Sequence, residues 1–257
     1  MVGETVDKIT IEHLSVRYSD GMESLRDINL GIPEHAVTVL FGPAGGGKST
    51  LLRVLNRLND LSDVREMTGR IWFNERDILD LTTDVVALRR KIGIVFSRPI
   101  SLPLSIYQNI SYGLEVAGEK RKNKLDDAVE KALRQAVLWD EVYDRLGDPA
   151  ATSLSGGQQQ RLSLARVLAL EPEVILLDEP TSALDPVSTA RIEQLLVELA
   201  ERYTIILVPH SVQQAARMAD YAGFFLQGEL VEFAEGKNLF VNPRDKRTED
   251  YVQGRFG

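Results

Sequence analysis

Between a β-branched run and a leucine-rich run the chain reads Gly42-Pro43-Ala44-Gly45-Gly46-Gly47-Lys48-Ser49-Thr50. The spacing satisfies G-x-x-x-x-G-K-[ST], and the flanks supply the context that pattern needs: residues 36–41 read as a buried strand and residues 49–58 as a helix. Such a loop is a phosphate cradle. Its glycines let the backbone bend so that successive N–H groups converge on phosphate oxygens, and the following helix adds the positive end of its dipole. Lys48 is then placed to reach the β- and γ-phosphates of a nucleoside triphosphate, and the Ser49 hydroxyl to ligate the Mg2+ that travels with it. A Gly-rich turn that binds nothing is the plainer alternative, and the full pattern in its full context argues against it.

Two further stretches carry chemistry. Residues 174–177 read as a short buried strand that ends in Asp178-Glu179-Pro180. Adjacent acids at a nucleotide site can divide labour, Asp178 holding the Mg2+ shell and Glu179 orienting or deprotonating the attacking water. Without the cradle the same pair would read as an ordinary helix start. Ser155-Gly156-Gly157-Gln158 is a second glycine-bearing helix start, whose amides and Ser155 hydroxyl suit an anion although no lysine accompanies them. One nucleotide needs one cradle. The simplest arrangement therefore has this second site facing the γ-phosphate of a nucleotide held mainly by another subunit.

These residues need elements to hold them. Alternation from Lys8 to Tyr18 puts Ile9 and Ile11 on one face before Leu14, Val16 and Tyr18 take over, a parity shift that predicts a bulge near His13. Asp20-Gly21 is a turn, and Leu25, Ile28, Leu30 and Ile32 lead to Pro33, so the opening reads as antiparallel strands. Residues 69–73 and 92–96 read as two more strands. A proline-punctuated loop starts at Ser97, and residues 106–139 are helical in pattern, with Leu125, Val129, Ala132, Leu133 and Ala136 on one apolar face. The stretch 153–158 opens a helix that stops at Pro172. Asp185-Pro186 is an N-cap and first-turn pair, residues 204–208 form a buried strand ending in Pro209-His210, Ser211 caps the next helix, and Gln227-Gly228 marks a hairpin. Strands alternating with helices, several of them continuous apolar runs, imply an α/β fold with a parallel sheet covered on both faces. Ligands in such sheets sit at the carboxyl ends of strands, where Gly42, Ser97, Asp178 and His210 fall.

Composition sets the outer bounds. A chain of 257 residues, 26% charged and 44% hydrophobic, is of ordinary globular type, and it reads as one subdivided domain. A net charge of -8 argues against nonspecific nucleic-acid binding. Without cysteine there is no disulfide framework and no thiolate metal site. Residues 1–8 lack the regions of a signal peptide, and no stretch reaches about 18 consecutive apolar residues, so any membrane role is expected to come through a partner.

The cradle, Leu154-Ser155-Gly156-Gly157-Gln158, residues 174–180, Ser182-Ala183-Leu184-Asp185 and His210 stand in the order and spacing of ATP-binding cassette (ABC) transporter ATPases, which the chain resembles nearly end to end. The resemblance implies a P-loop NTPase (RecA-like) core with an antiparallel β subdomain and a helical subdomain. Residues 1–35 would be mainly the β subdomain, 36–96 and 169–257 the nucleotide-binding core, and 97–168 the helical subdomain with its signature. It implies two copies sandwiching two ATP molecules between cradle and signature. Tyr18 matches the aromatic position that stacks on adenine, although a strand tyrosine also packs cores; Asp185 matches the loop that signals between the two sites. Within the family the chain is similar to the ATPases of phosphate-specific importers, through residues 55–61, 103–109, 154–161, 213–217 and above all 248–257. That similarity implies two transmembrane permease subunits, a phosphate-binding protein acting indirectly, and a peripheral place on the cytoplasmic side of the membrane. Residues 98–107, with Pro99, Leu102, Pro103, Leu104 and Tyr107, match the permease-docking stretch; packing of the helical subdomain's base is an equal reading.

Two positions depart from the family pattern. The family places Gln after the strand at 92–96, where it reaches Mg2+ and the attacking water; here Ser97 stands, shorter by two heavy-atom bonds. Either a bridging water completes the reach or hydrolysis and its coupling weaken. Pro209 precedes the switch His210 where Thr is usual, removing a backbone donor. His13 and His35 read as surface residues. The expected function is ATP hydrolysis that powers phosphate import. Its competitors are a nucleotide-gated regulatory module with weak hydrolysis, an importer ATPase for molybdate or tungstate, and a nontransport ABC protein acting on nucleic acid, which the acidic charge disfavours.

Overall fold

The computed structural model describes residues 6–255. Met1 to Thr5 of the N-terminal reading, and Phe256-Gly257 of the C-terminal stretch, lie outside the described residues. In chain order the elements are β1 (Asp7–Tyr18), β2 (Glu23–Pro33), β3 (Val37–Phe41), α1 (Lys48–Leu55), β4 (Val64–Phe73), β5 (Arg76–Asp77), α2 (Val85–Lys91), β6 (Ile92–Val95), α3 (Ile106–Val116), α4 (Lys122–Gln135), α5 (Trp139–Val142), α6 (Ala150–Ser153) and α7 (Gly156–Leu168). There follow β7 (Val174–Asp178), α8 (Pro186–Ala200), β8 (Thr204–Val208), α9 (Val212–Met218), β9 (Tyr221–Leu226), β10 (Glu229–Glu235), α10 (Gly236–Val241) and α11 (Lys246–Val252).

The strands divide into two sheets according to how they are buried. β3 and β8 are buried at every position, as continuous apolar runs require, and they lie inside a sheet ordered β10-β9-β3-β8-β7-β6. All its pairs are parallel except the β9–β10 hairpin. Alternation along each strand feeds two cores. Val37, Val39 and Phe41 join Ile175, Leu177 and the helices from α3 to α9, whereas Leu40, Val174 and Leu176 join α1 and the first strands. The amphipathic strands form the second sheet, β2-β1-β4-β5, antiparallel throughout.

Both β-ladders of β1 slip across Glu12 to Leu14, and His13 takes a φ of 52°, which is the bulge that the parity shift predicts. Two boundaries differ from expectation. The helix after the cradle stops at Leu55 rather than 58, because Arg57 enters a left-handed turn (φ 57°) and leads into a 3-10 turn at Leu58–Leu61. Residues 64–77, expected in the nucleotide-binding core, belong instead to the antiparallel sheet, where Ile71 and Phe73 are buried opposite Ile11 and Ile9 of β1. Strand character is visible in sequence, but the sheet a strand joins depends on a partner about sixty residues away.

α1 buries Leu51, Leu52, Val54 and Leu55 completely. At roughly 1.5–3 kcal/mol for each such side chain, this face anchors the helix and with it the cradle. At the far end of the chain, Phe240 of α10 lies 4.9 Å from the Phe41 ring and Tyr251 of α11 lies 5.0 Å from that of Phe224, bracing the strand that delivers the cradle.

Candidate functional site

The cradle leaves β3 through Gly42, whose φ of 140° is barred to other residues, and a Cβ there would overlap the Phe225 carbonyl of β9. Gly47 is held as tightly, with φ 99° and the Ser24 carbonyl where its Cβ would be. The loop is thus moulded by backbone on both sides. Pro43 is half-buried, Ala44 and Gly45 are exposed, and the Gly46 carbonyl accepts from the Gly228 N–H of the β9–β10 turn at 3.2 Å. Lys48 curls its Nζ back over the loop, donating to the Gly42 and Pro43 carbonyls at 2.8 Å each. Burial pushes the Lys48 ammonium pKa down, while the Glu179 and Asp178 carboxylates pull the other way. Thr50 is engaged elsewhere, its hydroxyl 2.7 Å from that of Ser24.

Strand register brings the acids to this loop. The parallel pairing of β7 with β8, and of β8 with β3, aligns their carboxyl ends. Ser49 Oγ donates to Asp178 Oδ1 at 3.0 Å. A hydroxyl and a carboxylate side by side at a phosphate cradle make a hard-oxygen pair of the sort Mg2+ takes, with phosphate and water completing its shell. The described residues contain no group of three or more His, Asp or Glu for a metal held by protein alone. The residues present therefore fit an ion that arrives with its nucleotide. Glu179 follows in left-handed backbone (φ 48°), its N–H donating to the Val208 carbonyl at 2.9 Å. Such a conformation is costly for a non-glycine residue and is characteristic of functional strand ends. His210, after β8, points its Nδ1 at Glu179 Oε2 from 4.0 Å, with its side chain 62% exposed. Pro209 before it is buried.

The remaining expected site residues lie apart from this centre. Ser155 and Gln158 form a capping box at the start of α7: Gln158 N–H donates to Ser155 Oγ at 3.4 Å and Ser155 N–H to Gln158 Oε1 at 2.9 Å. Gln158 Nε2 also donates to Glu141 at 2.8 Å, and Arg161 pairs with the same carboxylate. Ser155 and Gly156 are exposed; the neighbours of Gly156 and Gly157 are Leu184 and Ser188. Among the described residues no hydrogen bond joins this helix start to the cradle of the same chain. Asp185 caps α8, accepting from the Val187 and Ser188 N–H groups at 3.0 Å and from the Ser188 hydroxyl at 2.6 Å; the Ser188 side chain and backbone hold its carboxyl below the usual range. Tyr18 is half-buried at the end of β1, its N–H closing the turn onto Met22 O at 2.9 Å. Ser97 is half-buried in a bend after β6, and its hydroxyl makes no hydrogen bond among the described residues. Gln160 of α7 reaches the carbonyl of Phe96 beside it at 3.0 Å.

Sequence reading includes Gln214 only in the similarity of residues 213–217, without a role, and passes over Thr181, Ser24 and Glu141. All four make contacts with residues distant in the chain, which no local pattern signals. The stretch 98–107 is folded over Asn109, whose amide serves Leu102, Leu104 and Ser105. Beside it, between core and helical layer, runs a groove of about 310 Å³ lined by Arg89, Arg90, Leu102, Tyr112 and Arg166.

Comparison with known proteins places this geometry. The ABC transporter family matches residues 25–182. The chain is 52% identical over 249 residues to Phosphate import ATP-binding protein PstB 2 of Bacillus licheniformis, covering 97% of this chain and 90% of that one. Among solved structures it resembles CbiO1 of Clostridium perfringens, part of the ABC transporter complex cbiONQ, with a TM-score of 0.79, 31% identity, and coverage of 97% of this chain and 96% of that. A dimeric ATP-binding cassette in a post-hydrolysis state, bound to ADP and Pi, aligns with a TM-score of 0.76 at 29% identity over 89% of this chain and 99% of that. The arrangement of sheets and helices is therefore that of a known fold, and the chain belongs to the ABC transporter family as one of its ATPases.

Proposed function

We propose that the chain is the ATP-hydrolysing subunit of an importer of inorganic phosphate. The observation that carries hydrolysis is the meeting of Lys48, the Ser49–Asp178 pair and the Glu179–His210 pair at the ends of three neighbouring strands. Cradle amides and Lys48 bind the phosphates. Ser49 and Asp178 would hold Mg2+, which when bound neutralises charge on the β- and γ-oxygens. Glu179 orients the attacking water and takes its proton, and His210 steadies it. Ser97 reaches this centre through a bridging water. The Tyr18 ring carries adenine.

Ser155, Gly156, Gly157 and Gln158 of a second copy close over the γ-phosphate, and Asp185 links the two sites. In this reading β1, β2, β4 and β5 are the antiparallel subdomain, residues 97–168 the helical subdomain, and the parallel sheet with its flanking helices the nucleotide core. No helix among the described residues is long and apolar enough to cross a membrane. The proposed seat is peripheral, on the cytoplasmic side, with two permease subunits held at the groove beside residues 98–107 and a phosphate-binding protein acting through them. Phosphate as cargo is supported by the 52% identity to a phosphate import protein; no site residue touches it.

The test is ATP turnover of the wild type beside Glu179→Gln, followed by uptake of phosphate against molybdate in vesicles holding the permease. Glu179→Gln is expected to lower kcat by about a hundredfold to ten-thousandfold. Equal, near-background rates overturn hydrolysis, and a preference for molybdate overturns the cargo.

A further inference from the structure

Gln214 stands in α9 four residues beyond His210 and is 4% exposed. Its side-chain amide is fully used. Oε1 accepts the backbone N–H of His210 at 2.9 Å, while Nε2 donates to Thr181 Oγ1 at 2.9 Å and to Glu193 Oε1 at 3.1 Å. Thr181 lies two residues after Glu179. Glu193, in α8, also accepts from Arg217, whose Nη2 shares Oε1 at 2.7 Å and whose Nε meets Oε2 at 3.2 Å. One buried amide thus ties the loop that carries Glu179 to the loop that carries His210, and both to the helix that Asp185 opens.

The two loops need such a tie. Glu179 sits in strained backbone, and the side chains of Glu179 and His210 approach no closer than 4.0 Å with both well exposed. Their relative placement is consequently set by backbone, and Gln214 fixes that backbone through the His210 N–H on one side and the Thr181 hydroxyl on the other. No hydrogen bond joins Gln214 to the cradle among the described residues; there Lys48 donates to the Gly42 and Pro43 carbonyls and the Gly46 carbonyl accepts from Gly228.

We infer that Gln214 is a positioning residue for hydrolysis: it keeps His210 and Glu179 in register, so that loss of its amide lowers turnover and leaves nucleotide affinity in place. The inference rests on the roles given above to Glu179 and His210. Methionine at this position fills a similar volume but leaves the His210 N–H without its acceptor and takes one of the donors from Glu193. A double exchange restores the bonds of residue 214 in reversed polarity and gives up one from Arg217. In Gln214→Glu with Glu193→Gln, the new carboxylate accepts from the His210 N–H, the Thr181 hydroxyl and the new amide, whose oxygen, standing where Oε2 is now, accepts from Arg217 Nε; the bond that Arg217 Nη2 makes to Oε1 is given up.

The experiment measures kcat, KM for ATP and Tm for the wild type, Glu179→Gln, Gln214→Met and the double exchange. Gln214→Met is expected to lose about tenfold or more in kcat, as displacement of a reacting group does, with KM within about twofold of wild type. The double exchange is expected to recover part of the loss in kcat, because it restores the acceptor for the His210 N–H and the two positions act as one coupled pair. Full kcat in Gln214→Met overturns the inference. So does a joint fall of kcat, ATP affinity and Tm that the double exchange leaves unrepaired. A wild type no faster than Glu179→Gln overturns the reading of the site itself, and that result is distinct from either.

Discussion

Lys48 shows how binding and stability oppose each other at one residue. Burial pushes its pKa down despite the nearby Glu179 and Asp178 carboxylates, so folding disfavours the charged form. At any pH below the folded value the charge therefore costs stability, a cost that fades as pH rises through the folded and then the unfolded value. Lys48→Met is expected to melt at or above the wild-type temperature without nucleotide. It should also lose the ligand-induced rise in Tm, worth about 2.7 kcal/mol for the wild type at a hundred times Kd. Differential scanning fluorimetry with and without Mg·ATP checks both; a destabilised nucleotide-free variant, or a retained shift, would contradict the argument. The motifs that carry Lys48 with Ser49, and Asp178 with Glu179, are legible in sequence because each is a short local pattern; that Ser49 meets Asp178 is decided by strand register. Gln214 is not legible there, since its partners at 181, 193 and 210 converge only when β7, α8 and β8 are packed.

At the scale of elements, the cradle is a junction between β2, β9 and α1. Gly47→Ala forces a Cβ onto the Ser24 carbonyl in left-handed backbone, and is expected to cost about 1–3 kcal/mol and to abolish the ATP-dependent shift. Gly45, at φ 75° with nothing within 4 Å, should tolerate alanine better, and thermal melts of the two variants separate contact from dihedral strain. A second junction is electrostatic. Glu173, just before β7, receives Lys8 of β1 at 2.7 Å, Lys91 of α2 at 2.9 Å and Asn74 at 2.9 Å, joining the antiparallel sheet to the core. Burial raises its pKa, but hydrogen bonds from Lys8, Asn74 and Lys91 outweigh that and bring it down to about 2. A folded value below the unfolded one means stability that is present above pH 4.5 and is lost as pH falls toward 2. Glu173→Gln is expected to cost about 1 kcal/mol at pH 7, given partial exposure and screening, and the gap from wild type should narrow below pH 4.5 in paired melts. A gap independent of pH would remove the charge argument.

At the scale of the molecule, the single chain holds a cradle and a signature that do not meet. Gly156 is exposed, and a Cβ on it would find nothing nearer than Leu184 Cδ2 at 4.0 Å. Gly156→Asp should fold like wild type, while its carboxylate repels the γ-phosphate carried by a second copy. The expected result is an unchanged Tm, retained ATP binding, and loss of the ATP-dependent dimer in size-exclusion chromatography of the Glu179→Gln background. A dimer that persists would place the signature away from the nucleotide.

What could be known from residues alone was whatever depends on short spacings: the cradle, the acidic strand end, the bulge at His13, the caps at Asp185 and Ser211, and the α/β alternation. Hydrophobic period and capping chemistry act over a few residues, so they are written along the chain. The structure alone decided that residues 64–77 join β1, that Arg57 ends α1 early, and that Gln158 shares Glu141 with Arg161. It alone brought Gln214 between the loops of Glu179 and His210. Those outcomes are contests between distant partners, settled by which surfaces pack together, and no local pattern encodes them.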